Sequence, residues 1–306
     1  MTVADLRSLE LERASSLESV CARLAERTEA ELATVLLAGG TDWMVEQEMR
    51  APFDPSDAGA SKRPLLIDVS RLEELRGVEL LESPRGDVLR VGAATTYLEL
   101  RQHPDVQRRA PALVAAAADI GAVQIQARGT LGGNLATASP AGDGVAALAA
   151  FDAIVVVRSV RGERRIPFPE LYTGYKTSTR LADELIVAVE LPLPREGSAW
   201  AWRKVGTRRA QSISKVALAA VAEVVGDQVT RVGLGMASVA PTTCLLLRTR
   251  ELLLSSPLSR IRVDGLEKAV LADVSPIDDL RSSRRYRAHV ACAVVREFVR
   301  SLGAKV

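Results

Sequence analysis

The sequence has few of the side chains that bind metals or form covalent crosslinks. Its 306 residues include three cysteines, Cys21, Cys244 and Cys292, and two histidines, His103 and His289. The cysteines lie far apart and form no C-x-x-C pair, which excludes a four-thiolate zinc or iron–sulfur site and a disulfide framework. We expect buried, apolar cysteines, satisfied structural histidines and no metal site in this chain.

The sequence also lacks an excess of one charge and a long hydrophobic run. Its 40 Lys and Arg residues nearly balance 38 Asp and Glu residues, so its net charge does not attract a nucleic acid. No stretch reaches the roughly 18 apolar residues of a membrane span, and no apolar run follows a basic cluster at the N-terminus. We therefore expect a cytoplasmic protein that has no membrane span and does not bind nucleic acid.

Capping signals and apolar spacing predict several elements in the first half of the chain. A capping box at Ser15-x-x-Glu18 begins the first helix, and the apolar run at 35–38 is a strand that ends at a glycine turn. Two further helices are predicted to begin at Ser70-x-x-Glu73 and Thr96-x-x-Glu99. The other predicted elements are a strand at 65–69, a hairpin of 78–81 with 88–91, a helix from Pro111 to Ile120 that stops at Gly121, and a helix capped by Asp143.

The rest of the chain predicts a boundary and a second architecture. Residues 50–64 contain three prolines with glycine, serine and aspartate, which is typical of a surface loop or a subdomain boundary. Strand-like runs at 199–206, 213–224 and 229–239 follow one another and are succeeded by helical patterns at 243–254, 264–272 and 284–301. This order predicts an antiparallel sheet backed by helices.

Two glycine-containing loops carry the functional signal, AGGTD at 38–42 and GTLGGNLATASPAGD at 129–143. Glycines lack a β-carbon, so their amides accept positive φ and approach a phosphate closely. The glycines that can offer such amides are Gly39, Gly40, Gly132 and Gly133. Thr41 and Thr130 add hydroxyl donors. Neither loop has the spacing of G-x-G-x-x-G or G-x-x-x-x-G-K-[ST], so the Rossmann and P-loop folds are excluded. Two such loops predict a pyrophosphate site on another scaffold.

These loops, the LADELIVAVELP strand, the WRKVGTRRAQSIS stretch and the GLGMASVAPTTCLLLRTRELL segment occur in an order that resembles one family. The chain resembles the FAD-binding (medium) subunit of molybdenum hydroxylases of the xanthine dehydrogenase and carbon monoxide dehydrogenase type. The resemblance covers nearly the whole chain. It implies an α+β, vanillyl-alcohol-oxidase-type (PCMH-like) FAD-binding fold, with two N-terminal α/β subdomains and a C-terminal antiparallel sheet backed by helices. The expected units are 1–60, 61–176 and 177–306.

The same resemblance implies which residues bind FAD. The glycine loops hold the pyrophosphate, Asp143 accepts from a ribityl or ribose hydroxyl, Ile186 packs on the isoalloxazine, and Lys204 places a cation near its polar edge. Removing that cation is expected to lower the reduction potential with the fold intact. The implied cofactor-binding residues are Ala38, Gly39, Gly40, Thr41, Asp42, Ile120, Gly121, Thr130, Gly133, Asn134, Asp143, Ile186 and Lys204.

Two positions depart from the pattern expected of the family. Gln126 stands where an arginine is frequent, and Tyr97 replaces a frequent histidine. Neither change removes a phosphate contact that the resemblance implies. They leave the subfamily undecided.

The resemblance also implies a function shared with other chains. A molybdopterin-binding large subunit oxidises the substrate, and a small subunit with [2Fe–2S] clusters passes electrons to this FAD and on to NAD+ or another acceptor. Three scattered cysteines cannot bind two clusters, so the clusters belong to another chain. The redox chemistry is the flavin's, and we expect no catalytic amino acid. The alternatives are a free-standing FAD-dependent oxidoreductase of the same fold and a flavin-free structural subunit.

Overall fold

The computed structural model describes residues 10–49, 64–84 and 86–306. The predicted loop at 50–64 therefore lies outside the described residues except for Pro64. The helices are α1 Leu17–Glu29, α2 Thr41–Met49, α3 Tyr97–Gln102, α4 Pro104–Arg109, α5 Pro111–Ala118, α6 Val123–Gln126, α7 Leu131–Thr137, α8 Asp143–Ala150, α9 Phe168–Leu171, α10 Leu247–Ser255, α11 Val263–Asp273 and α12 Arg284–Ser301. None of these described helices combines the length and the apolar character that crossing a bilayer requires.

The strands of this part of the chain form three main sheets. The strands are β1 Leu11–Arg13, β2 Thr34–Leu37, β3 Leu65–Asp68, β4 Val78–Leu81, β5 Val88–Gly92, β6 Ile154–Ser159, β7 Gly162–Pro167, β8 Tyr172–Gly174, β9 Thr177–Ser178, β10 Leu185–Pro192, β11 Ala199–Val205, β12 Val216–Val225 and β13 Gln228–Ala237. The first sheet is parallel with the order β1-β3-β2. The other two are antiparallel, β4-β5-β10-β6-β7 and β11-β12-β13, and β8 pairs with β9.

This arrangement confirms the mixed α/β class and the C-terminal antiparallel sheet with its following helices. The hairpin of 78–81 with 88–91 is confirmed as β4 and β5. The expected boundary at 176/177 places β10 in the third unit, but β10 pairs with β5 and β6 in the second sheet. The pairing therefore favours a boundary after β10.

The alanine-rich helix α8, which precedes β6 of the second sheet, packs against the third sheet. All eight residues of α8 are buried, and it packs on β12 and β13. A β-carbon on Gly233 would lie 1.8 Å from the carbonyl oxygen of Ala150, and one on Gly235 would lie 2.0 Å from that of Ala146. Because only glycine permits this approach, the packing fixes the first residue of α8, Asp143, against the third sheet.

Helix starts were predicted with mixed success. The capping box at Thr96 and Glu99 is confirmed, with both reciprocal hydrogen bonds present. The one predicted at Ser15 is wrong by one residue, because Ser16 is the N-cap of α1. The one at Ser70 is also wrong: the Ser70 amide and hydroxyl donate to Asp68, and the short turn that follows has no side-chain cap.

Candidate functional site

A cavity of about 460 Å³ opens where β2 and α2 face α7 and the start of β10. Pockets of this size are typical of small-molecule and cofactor sites. Gly121, Asp143 and Lys204 are not part of its lining. The other sequence-predicted site residues all line it: Ala38, Gly39, Gly40, Thr41, Asp42, Ile120, Thr130, Gly133, Asn134 and Ile186.

The first glycine segment supplies free backbone donors. Gly40 has φ of +74°, which turns the chain from β2 into α2. Within residues 10–49, 64–84 and 86–306, no acceptor receives the amide N–H groups of Gly40, Thr41 or Asp42. They lie at the N-terminus of α2, where unpaired amides and the helix dipole favour an anion.

The two glycine segments are in direct contact. A β-carbon on Gly39 would lie 1.9 Å from the carbonyl oxygen of Arg128, so no side chain fits at position 39. We call this contact between Gly39 and Arg128–Gly129 the glycine junction. It brings two segments that lie 90 residues apart in the sequence to one wall of the cavity.

The second segment is largely a helix, and its prediction as a loop is wrong for residues 131–137. Thr130 is the N-cap of α7, and its hydroxyl oxygen accepts from the Gly133 amide at 3.1 Å. The Gly132 amide donates to Ala93 at 2.8 Å, and a β-carbon on Gly132 would lie 2.6 Å from the Ala93 side chain. The amides of Leu131, Gly132, Gly133 and Asn134 are therefore already bonded.

All four glycines can adopt a positive φ, but of the four Gly40 alone does so, whereas Gly39, Gly132 and Gly133 do not. Gly39 and Gly132 are required by close packing rather than by backbone conformation. What the second segment offers a ligand is the Thr130 hydroxyl and the Asn134 side chain.

Tyr97 positions Asn134, a role that sequence reasoning missed. The buried Tyr97 hydroxyl donates to Asn134 Oδ1 at 2.9 Å, which leaves the amide nitrogen of Asn134 as its free donor. Burial raises the pKa of Tyr97 well above its ordinary value, so the hydroxyl keeps its proton. The only sequence signal was that Tyr97 directly follows the N-cap Thr96, at the start of a helix.

Asp143 and Lys204 form a buried ion pair beside the cavity. Lys204 Nζ lies 2.6 Å from Asp143 Oδ2 and donates also to the Asp119 carbonyl at 2.8 Å. Asp143 Oδ1 accepts from the Ser214 hydroxyl at 2.5 Å. Each side chain of the pair is 8% exposed. Burial raises the pKa of Asp143, and the Lys204 charge opposes this shift.

The structure corrects one expectation about this pair. Asp143 does not cap α8, because the N-cap is Gly142 and no side chain caps it. Lys204 is buried against Asp143. Its positive charge is therefore balanced within the fold.

Gln126 shapes the turn that presents Ile120 to the cavity. Its Nε2 donates to the carbonyls of Ala118 and Ile120, both at 3.0 Å, and its Oε1 accepts from Arg101 at 2.5 Å. Gly121 follows with φ of +54°. The departure from arginine at position 126 thus has a structural role of its own.

The histidines and cysteines take no part in the cavity lining. His103 is not satisfied as expected, because its buried Nδ1 has no partner among the described residues, and His289 is exposed on α12. Cys21 and Cys292 are buried as predicted, whereas Cys244 is half-buried. In the described ranges, no three His, Cys, Asp or Glu side chains group as metal ligands.

A second cavity of about 390 Å³ lies at the glycine junction. It shares the walls formed by Ala38, Gly39, Ala94 and Thr130 with the first cavity. Its remaining lining is mixed: three arginines, Arg71, Arg76 and Arg128, lie there with Ser70, Thr96, Glu99 and the apolar Leu98 and Ala127. The glycine junction thus separates two adjoining spaces.

Comparisons with known proteins place this chain in a family. The family model described as the FAD binding domain in molybdopterin dehydrogenase matches residues 7–194, and the CO dehydrogenase flavoprotein C-terminal domain matches residues 201–302. A putative xanthine dehydrogenase FAD-binding subunit of Escherichia coli (strain K12) is 30% identical over 96% of this chain and 97% of that protein. The carbon monoxide dehydrogenase medium chain of Hydrogenophaga pseudoflava is 29% identical over 78% of this chain and 82% of that protein.

The likeness extends to three dimensions. The structure of carbon monoxide dehydrogenase from Hydrogenophaga pseudoflava matches with a TM-score of 0.84 and 26% identity, covering 94% of this chain and 95% of that chain. Sequence and fold therefore agree over nearly the full described length. The chain belongs to the family of FAD-binding medium subunits of molybdenum hydroxylases of the carbon monoxide dehydrogenase and xanthine dehydrogenase type, and its cofactor is FAD.

Proposed function

We propose that this chain carries electrons through FAD, from [2Fe–2S] clusters on a small partner subunit to NAD+ or another acceptor. In this proposal a molybdopterin-binding large subunit of the same complex oxidises the organic substrate. The observation that carries the proposal is the glycine junction, where free amides of α2 and the donors of α7 meet at one cavity wall. The cysteines of this chain are too scattered to hold clusters, so those must come from a partner.

The residues present fit FAD. The cofactor is a dinucleotide whose two ends are joined by a pyrophosphate, and the junction separates two adjoining cavities. Free amides at Gly40 and Thr41 suit the phosphates, and the hydroxyl of Thr130 and the amide of Asn134 add neutral donors. Apolar side chains such as Leu37, Ile125 and Ile186 line the larger cavity and suit a flat ring.

Bound FAD would supply the redox chemistry, and the chain supplies position and electrostatics. Asp143 is proposed to accept from a ribityl or ribose hydroxyl in addition to Lys204 and Ser214, because each carboxylate oxygen has two lone pairs. Ile186 is proposed to pack on the isoalloxazine and Lys204 to lie near its polar edge. No amino acid acts as a nucleophile or as an acid–base catalyst in this proposal.

Equilibrium titration of the flavin-free chain tests the cofactor part. We expect one FAD per chain, released on acid denaturation, since no histidine lines the cavity to form a covalent link. FMN is expected to bind at least about tenfold more weakly, because it lacks the second phosphate of the dinucleotide. Equal affinities for FMN and FAD would contradict the placement of the pyrophosphate at the junction.

Co-purification tests the electron-transfer part. Affinity purification of the tagged chain from its native cell, followed by mass identification, is expected to recover a molybdopterin-binding chain and an iron–sulfur chain. Bleaching of the isolated holo-chain by its own organic substrate would instead favour the free-standing oxidoreductase. A native complex that contains the chain without flavin would favour the structural subunit.

A further inference from the structure

Among the residues that the structure describes, five charged side chains line the larger cavity: Asp42, Glu46, Lys176, Arg180 and Glu184. All of them except Arg180 have a side-chain partner. Glu46 pairs with Lys176 at 3.4 Å. Asp42 is exposed, and its carboxylate accepts from the Thr137 hydroxyl at 2.7 Å. The positive charge of Arg180 is therefore the one whose partner has to be identified.

Glu184 is the nearest candidate, but its carboxylate is engaged elsewhere. Arg164 donates to both of its oxygens, at 2.9 and 2.7 Å, and the Leu181 amide donates at 2.8 Å. The exposed guanidinium of Arg164 points at Glu184 from outside the cavity lining. The charge of Glu184 is therefore already paired with that of Arg164.

Arg180 has no carboxylate partner in the part of the chain that the structure describes. Its Nη1 donates to two backbone carbonyls, those of Leu181 at 3.1 Å and Glu184 at 2.6 Å. With the described residues it forms no ion pair within 4 Å, and its other nitrogens donate to none of them. The side chain is half-buried, and burial lowers its pKa, while the charge of Glu184 opposes part of this shift without forming an ion pair with it. A desolvated cation with free donors on a cavity wall favours an anionic ligand.

We propose that Arg180 is a phosphate-binding residue, which supplies a positive charge to the pyrophosphate of the dinucleotide in this cavity. The inference rests on the proposed function, because it takes the dinucleotide to be the occupant. The free amides of α2 and the donors of α7 are neutral, so Arg180 adds the full charge that they lack. Guanidinium groups suit this role, since their planar donors match phosphate oxygens.

Calorimetric titration of the full, flavin-free chain with FAD, ADP and riboflavin tests the proposal. Arg180→Gln is expected to weaken FAD and ADP about tenfold at low salt, as loss of one charge-assisted contact does, and less at high salt. Riboflavin, which has no phosphate, is expected to bind both chains equally. Arg180→Lys keeps the charge and is expected to recover part of the loss.

Arg161→Gln is the matched control. Arg161 pairs with Asp183 at 2.5 Å, next to Glu184 in the sequence, so the substitution removes one positive charge from the same region. Arg161 does not line the cavity, so its loss is not expected to affect a bound phosphate. Unchanged FAD and ADP affinities in Arg180→Gln would overturn the proposal, as would an equal loss for riboflavin or an equal loss in Arg161→Gln. Failure of the wild-type chain to bind FAD would instead reject the proposed function itself.

Discussion

Gly39→Ala is expected to remove FAD binding almost completely. The new β-carbon would lie 1.9 Å from the Arg128 carbonyl oxygen and 2.6 Å from its carbon, and a backbone group cannot rotate away as a side chain does. The two segments must separate, at a cost of about 3 kcal/mol, and this strain corresponds to roughly 100-fold in affinity if binding requires the closed junction. Fluorescence titration with FAD measures the loss.

Two other glycines serve as comparators. Gly265→Ala on α11 places its β-carbon in open space, so FAD affinity is expected to stay unchanged. Gly133→Ala meets only the Thr130 hydroxyl, at 2.9 Å, and we expect a smaller loss than at Gly39 because a side chain can shift. Thermal unfolding of each variant separates misfolding from loss of the site. Normal flavin content in a folded Gly39→Ala chain would refute the role of the junction.

Lys204→Met is expected to destabilise the chain by about 3–5 kcal/mol, since it leaves the Asp143 carboxylate buried without a cation. Chemical denaturation measures this change. Lys176→Met is the matched control: its ion pair with Glu46 is 44% and 51% exposed, so the expected cost is at most about 1 kcal/mol. An equal loss of unfolding free energy in the two variants would show that the buried pair stabilises the fold no more than the exposed pair does.

The destabilisation by Lys204→Met is also expected to depend on pH. Burial raises the pKa of Asp143 in the folded chain, and Lys204 opposes that rise. A raised folded pKa adds stability at low pH that is lost as the pH rises through it. Removing Lys204 raises the folded pKa further, so the deficit relative to wild type is expected to shrink as pH falls from about 8 to about 5. A deficit that grows with falling pH would contradict this.

The same pair changes the expectation for the flavin. From the sequence alone, loss of Lys204 was expected to lower the reduction potential while the fold stayed intact. Because Asp143 lies 2.6 Å from the ammonium, the pair presents a smaller net field than a lone cation. We therefore expect stability, rather than the potential, to show the larger effect.

Local patterns were sufficient to predict much of the fold. The three C-terminal strand runs correspond to β11, β12 and β13, because long apolar segments separated by short turns have few alternatives. The position of the first helix was predicted correctly but its N-cap was not. Ser15 matches the capping-box pattern through Glu18, whereas the box that forms joins Ser16 to Ser19, a pair that this pattern does not include.

The site was harder to predict, for two physical reasons. Glycine has low helix propensity, so residues 131–137 looked like a loop, but the Thr130 cap and packing on Ala93 stabilise α7. Asp143 and Lys204 lie 61 residues apart, and no local pattern reveals such a pairing. Most of the cofactor-binding residues that the family resemblance implies line one cavity. The spacing of these residues in the sequence did not by itself predict that they would meet.

Hydrogen exchange of the chain with and without FAD is the measurement that tests the central claim most directly. The amides of Gly40, Thr41 and Asp42 have no described acceptor, so bound phosphate is expected to slow their exchange by at least about tenfold. The amides of Leu131 and Gly132 in α7 already donate to Thr95 and Ala93 and are expected to change much less. FAD binding without protection at residues 40–42 would contradict the assignment of the cofactor to the glycine junction.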